Sequence, residues 1–91
     1  MPHISILVFG KVQQVFFRAY AKECADDLEI VGWVQNQQDG TVQIEAQHFN
    51  EDILKEFIEK IHEGSSLAVI DRVEVGWSEA EEFQEHFRIL S

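Results

Sequence analysis

The order of segments along this 91-residue chain predicts an α+β fold: a two-layer sandwich with two helices on one face of an antiparallel sheet. Three observations carry that expectation: two stretches have helical apolar spacing, four have strand character with a short fifth at the end, and they alternate as β-α-β-β-α-β. In the first strand, Ile4 to Phe9, the residues Ile4, Ile6 and Val8 alternate with Ser5, Leu7 and Phe9, an apolar pattern on both sides that suits a central strand. Phe17, Ala21, Cys24 and Leu28 then recur at helical spacing. A second strand spans Ile30 to Asn36, Asp39-Gly40 signals a hairpin, and a third strand spans Thr41 to Gln47. Val42, Ile44 and Ala46 face one way on that strand, Gln43, Glu45 and Gln47 the other. Asn50 is a good N-cap for the second helix, Glu51 and Asp52 suit its first turn, its stripe is Ile53, Leu54, Phe57, Ile58 and Ile61, and Gly64 stops it. Val69 to Ser78 reads as the fourth strand, Glu79 to Glu85 as an acidic loop, and Phe87 to Leu90 as a short last strand. This is the split βαβ pattern of a ferredoxin-like sandwich.

With 45% hydrophobic residues, the chain is expected to be one domain spanning residues 1–91 and burying about 60–65% of its unfolded surface. No window approaches the roughly eighteen apolar residues of a membrane span, and Met1-Pro2-His3 lacks the basic start and cleavage site of a signal peptide, so the expected location is the cytoplasm and no membrane partner is expected. The single Cys24 excludes an internal disulfide and reads as a small core residue of the first helix. A balance of 17 Asp+Glu against 7 Lys+Arg, net −10, argues against nucleic acid, whose affinity comes from many cations on phosphates. An RNA-recognition sheet of the same element order would show exposed aromatics among basic residues, where the third strand shows Gln43, Glu45 and Gln47.

The acid is unevenly placed. No Asp or Glu precedes Glu23, while Lys11, Arg18 and Lys22 all do. Gly10 to Arg18, reading G-K-V-Q-Q-V-F-F-R, joins the first strand to a helix that starts near Phe17. The backbone N–H groups of such a loop and first helical turn have no acceptors of their own, which makes an anion site, and Arg18 adds a planar cation able to hold two phosphate oxygens. Because a helical crossover joins the first two strands, they run in parallel, and Asn36 at the end of the second converges on the loop. Its amide can both donate and accept.

Gly10-Lys11-Val12-Gln13 followed by Val15, Phe17 and Arg18, then Gly32-Trp33-Val34-Gln35-Asn36 and Gly40-Thr41-Val42, resemble the acylphosphatase family over nearly the whole chain. Gly64, Ala68, Ile70, Val73 and Phe87-Arg88-Ile89 agree in less specific positions. The resemblance implies a cofactor-free and metal-free monomeric enzyme that hydrolyses the carboxyl–phosphate bond of acyl phosphates to a carboxylate and inorganic phosphate. It implies Arg18 as the catalytic arginine, Asn36 as the residue that orients the attacking water, and the N–H groups of Gln13, Gln14, Val15, Phe16, Phe17 and Arg18 as the phosphate cradle. The substrate is expected to be a small-molecule acyl phosphate or an aspartyl phosphate on another protein. His3 and His48 belong at the sheet end away from the loop, and His62 and His86 have no connection with it, so all four histidines read as surface or structural.

The chain departs from the family pattern at Gln14, where a glycine is usual, at His48, which also replaces a glycine, and at Ala21, where threonine is common. A side chain at a left-handed position costs on the order of 1 kcal/mol. Gln14 therefore keeps a second reading open: a phosphate-binding or regulatory module of the same fold with weak or no turnover.

Overall fold

Seven elements follow one another in a computed structural model that describes residues 1–90: β1 (Pro2–Lys11), α1 (Phe17–Asp27), β2 (Val31–Asn36), β3 (Val42–Gln47), α2 (Glu51–Glu63), β4 (Val69–Glu79) and β5 (Phe87–Leu90). The strands form one sheet in the order β4-β1-β3-β2-β5. β1 pairs antiparallel with β3 and β4, β2 antiparallel with β3, and β5 parallel with β2. β1, β2 and β5 therefore run in the same direction. Their C-terminal ends meet the start of β4 and the start of α1 at one end of the sheet, the end that holds Arg18 and Asn36. The expected ferredoxin-like order is the observed one.

Both helices lie on the face presented by Ile4, Ile6 and Val8 of β1, Val34 of β2, and Val42, Ile44 and Ala46 of β3, all buried with Phe17, Ala21, Ala25, Leu54, Phe57 and Ile61 in one cluster. The stripe of α1 centres on Ala25 rather than Cys24. The thiol is half-buried at the edge of the cluster, where burial raises its pKa. The other sheet face is open to solvent, and there the polar side chains serve one another: His3 Nε2 and Ser5 Oγ each lie 2.7 Å from Glu45 Oε1. Leu7 and Phe9 on that face are only half-buried. The Arg72 guanidinium covers the Phe9 ring at 4.0 Å, an apolar residue screened by a cation's planar face.

β1 starts at Pro2 and β4 ends at Glu79, each slightly beyond the sequence reading, and three further boundaries differ from it for a local reason. β1 runs past Phe9 to Lys11 because a shift of register between Phe9 and Gly10 lets its pairing with β4 resume at Gly10↔Ile70. Gly10 has φ 134, and a Cβ there would lie 2.1 Å from the Val69 carbonyl oxygen. β2 starts after Ile30, whose N–H closes the end of α1 on Ala25 O at 2.8 Å. β3 starts after Thr41, whose N–H and hydroxyl both donate to the Asp39 carboxylate, at 3.0 and 2.6 Å, and hold that carboxyl below its usual pKa. Asn50 caps α2 as expected, its Oδ1 accepting from the Asp52 N–H at 2.9 Å.

The two helices are tied by Tyr20, whose hydroxyl donates to Lys60 O at 2.7 Å. Burial, with Cys24 beside it, pushes this phenol up to about 12. The folded state then keeps its proton while the unfolded state loses it, so stability should fall as pH rises from about 10 to 12. Urea midpoints measured across that window should drop less steeply for Tyr20→Phe, and phenolate absorbance reads this sole tyrosine directly. Gly10→Ala should lose more than about 2 kcal/mol in the same unfolding assay, because the added methyl meets backbone that cannot yield without breaking the β1–β4 pairing.

Candidate active site

Between β1 and α1 the side chains alternate between inside and outside: Val12, Val15 and Phe17 are buried, while Gln14 and Phe16 are exposed. Gln14 and Phe16 are both left-handed at φ 60. Left-handed residues interspersed in a short loop turn successive N–H groups toward one side, which makes a concave nest for an anion. Among the described residues, nothing accepts from the backbone N–H groups of residues 13–19, and the first bond that closes the helix runs from Tyr20 N–H to Phe16 O at 3.0 Å. No side chain caps this helix, and no acidic residue stands in its first turn. The donor end of α1 is open.

A cavity of about 290 Å³ opens onto these groups. Its polar lining is Gln14, Arg18 and Asn36, and its apolar lining is Val12, Phe16, Phe17, Ala19 and Ile89. Arg18 is half-buried and its Nη1 donates to Leu90 O at 2.9 Å. Among the described residues no carboxylate lies within 4 Å of it. Asn36 Oδ1 is buried and has no hydrogen-bond partner. An unpaired buried acceptor costs about 1–3 kcal/mol, and a donor from bound water or ligand would recover it. The arrangement offers N–H donors and a cation to an anion, and an acceptor beside them to a small donor. Among the described residues, no imidazole or carboxylate side chain lines the cavity.

The structure brings Gln14, Phe16, Phe17, Arg18 and Asn36 to this cavity, while Gln13 and Val15, expected in the cradle through their N–H groups, turn their side chains away from it. Gln13 turns its side chain away: its Nε2 donates to Gln37 O at 2.7 Å and Thr41 O at 2.9 Å, pinning the loop to the β2–β3 turn. Val15 packs into the core, and its carbonyl accepts from Ser65 Oγ at 3.1 Å, pinning the loop to the start of the α2–β4 connection. Both enter the loop through backbone alone. Of the early cations, Lys11 stays exposed at the end of β1, and Lys22 is held by Asp26 and Phe87 O, at 2.9 and 3.0 Å, toward the opposite end of α1. His3 stands opposite Gln47, and the His48 N–H donates to Pro2 O, both at the far end of the sheet. Trp33 and Trp77 do not line the cavity. Val12, Ala19 and Ile89 escaped the sequence reading. Only the docking of β5 beside β2, with Val34 opposite Ile89, brings the last of these to the site.

Fold and site together define a small α+β domain with an anion-receiving loop at the donor end of its first helix. Comparison with known proteins makes this specific. The acylphosphatase family profile matches residues 4–89. An acylphosphatase of Salinibacter ruber is 40% identical over 86 residues, covering 94% of this chain and 90% of its own. One of Shewanella amazonensis is 42% identical over 89 residues, covering 98% and 97%. The crystal structure of acylphosphatase from Bacillus subtilis superposes with a TM-score of 0.96 at 34% identity over the full length of both chains. The chain belongs to the acylphosphatase family.

Gln14 is the local cost of the loop as built. Replacing it with glycine removes a side chain from a left-handed position that it disfavours, and Gln14→Gly should raise stability by about 1 kcal/mol in urea unfolding.

Proposed function

We propose that this chain carries out the acylphosphatase reaction, hydrolysis of the carboxyl–phosphate bond of acyl phosphates, with the phosphoryl group seated on the loop N–H groups of residues 13–18 and gripped by Arg18. The observation that carries this reading is the run of N–H donors with no acceptor among the described residues, beside the Arg18 guanidinium in the same cavity. A mixed anhydride is already activated, so the protein's work is to hold the phosphoryl group, stabilise charge on its equatorial oxygens and align a water. Leu90 O fixes one edge of the Arg18 guanidinium and leaves its other donors for phosphate oxygens.

Asn36 Oδ1 accepts a hydrogen bond from the attacking water and directs its lone pair at phosphorus. The water oxygen bonds to phosphorus as the bond from phosphorus to the carboxyl oxygen breaks, and that electron pair leaves on the carboxylate. The proton released by the water passes to a phosphoryl oxygen, so the acyl phosphate dianion and water become a carboxylate and dihydrogen phosphate. This route uses the substrate as its own base and draws on no histidine or carboxylate of the cavity. Family membership favours this reading over a binding module without turnover. The glutamine at position 14 lines the cavity and supplies its N–H from a left-handed backbone.

We read residues 1–91 as one domain acting as a monomer, as the family resemblance implies. No described helix is long and apolar enough to cross a membrane. The lone half-buried cysteine suits the reducing cytoplasm, where we place the enzyme acting on small-molecule acyl phosphates.

Benzoyl phosphate hydrolysis without added metal tests the reading. Arg18→Ala should lower kcat/KM by at least about 100 to 1000-fold, the scale of losing an oxyanion donor. Asn36→Ala should lower kcat by about 100-fold with little change in inhibition by orthophosphate, because it aligns water and does not hold the phosphoryl group. Wild-type turnover no faster than Arg18→Ala would remove the assignment of the site.

A further inference from the structure

The mechanism above leaves the apolar half of the cavity without a task. Phe16 is 78% exposed and Ile89 is 42% exposed, although both line the cavity. Phe16 contributes little to the core, in contrast to its neighbour Phe17, which is 1% exposed and stacks near Tyr20 with ring centroids 6.1 Å apart. Phe16 also holds φ 60 at the N-cap of α1, a conformation that disfavours a bulky side chain. An exposed aromatic kept at a strained position gives the fold nothing in return, and strain of this kind gathers where ligands are clamped. Ile89 precedes Leu90, whose carbonyl holds Arg18, so one short strand carries both the apolar wall and the fixing point of the cation.

We propose that Phe16, Ala19 and Ile89 form an acyl subsite, a shelf on which an aromatic or branched apolar acyl group lies while its phosphoryl group occupies the loop. The inference rests on the acylphosphatase reading and deepens it by naming the substrate class: acyl phosphates with apolar acyl groups, in preference to acetyl or carbamoyl phosphate. A ring laid against Phe16 gains the offset or edgewise contact that aromatic pairs favour, and Ile89 removes more of it from water. The acetyl methyl is too small to cover the shelf. The carbamoyl NH2 would meet three side chains without a single hydrogen-bond partner.

The test compares benzoyl and acetyl phosphate as substrates of the whole chain, of Phe16→Gly and of Ile89→Ser, with orthophosphate inhibition as a gauge of the loop and circular dichroism as a gauge of folding. Glycine suits φ 60, so Phe16→Gly keeps the loop conformation while removing the shelf. Phe16→Gly should lower kcat/KM for benzoyl phosphate by about tenfold more than for acetyl phosphate, mainly through KM, with orthophosphate inhibition showing how much of any common loss comes from the loop N–H of residue 16. Ile89→Ser, outside the loop, should lose benzoyl preference in the same sense by about threefold, which decides the matter if the first variant misfolds. An equal loss on both substrates, or an unchanged ratio between them, overturns the subsite while leaving the hydrolytic reading intact. Absence of hydrolysis of either substrate by the unaltered chain overturns that reading, and the subsite with it.

Discussion

Two hydrogen bonds from one side-chain amide hold the halves of the site together. Gln13 Nε2 reaches the carbonyls of Gln37 and Thr41, so the loop that carries the N–H donors is bound to the turn that follows Asn36. The same Thr41 carbonyl accepts from the Gln37 N–H at 2.8 Å, which makes the turn itself rigid where the loop grips it. On the other flank Ser65 holds the Val15 carbonyl. Between these ties the backbone of residues 13–19 is left with donors and no acceptors, an unfavourable state that only fixed flanks can sustain. Pre-organisation of this sort is what electrostatic stabilisation requires, because donors already aimed need no rearrangement as charge develops.

Charge is arranged on two scales. The chain as a whole carries −10, which repels a phosphate at long range, and within a Debye length of about 8 Å at physiological salt the local arrangement takes over. There Arg18 and the donor end of α1 face the cavity with no acid in the first turn. Product release benefits from the same division: a carboxylate and a phosphate leaving together move into a field that favours their departure. The acidic residues lie instead beyond the first turn of α1: on its later turns, on the solvent side of α2, along β4 and in the loop before β5, with Glu29, Asp39 and Glu45 between.

Much of this was legible in the sequence, for reasons that can be named. Element order and the glycine-led loop identified Arg18 and Asn36 as neighbours, since a helical crossover makes β1 and β2 parallel whatever the packing details. The positions of Asn50 and Gly64 marked the ends of α2 because caps answer to local backbone needs. Side-chain direction within the loop was not legible. Gln13 and Val15 are expected in the cradle through their N–H groups, and the chain alone does not reveal that the Gln13 amide reaches the hairpin's carbonyls or that the Val15 side chain enters the core while Ser65 holds its carbonyl. Nor could the chain reveal Ile89 as a wall of the cavity, because the edge on which a four-residue strand docks is decided by pairing with β2 and contact with α1, not by its own pattern. Cys24 was misplaced on the helical stripe by one position, since Cys24 and Ala25 are both small and both fit a helical spacing.

The bond from Arg18 to the Leu90 carbonyl joins residues 72 positions apart. Contacts so distant in sequence close late, because the intervening loop entropy must be met before they form. The cation we propose for the site is therefore held in orientation only while the last strand lies beside β2, and fraying of that edge would release it with the helices and the rest of the sheet still in place.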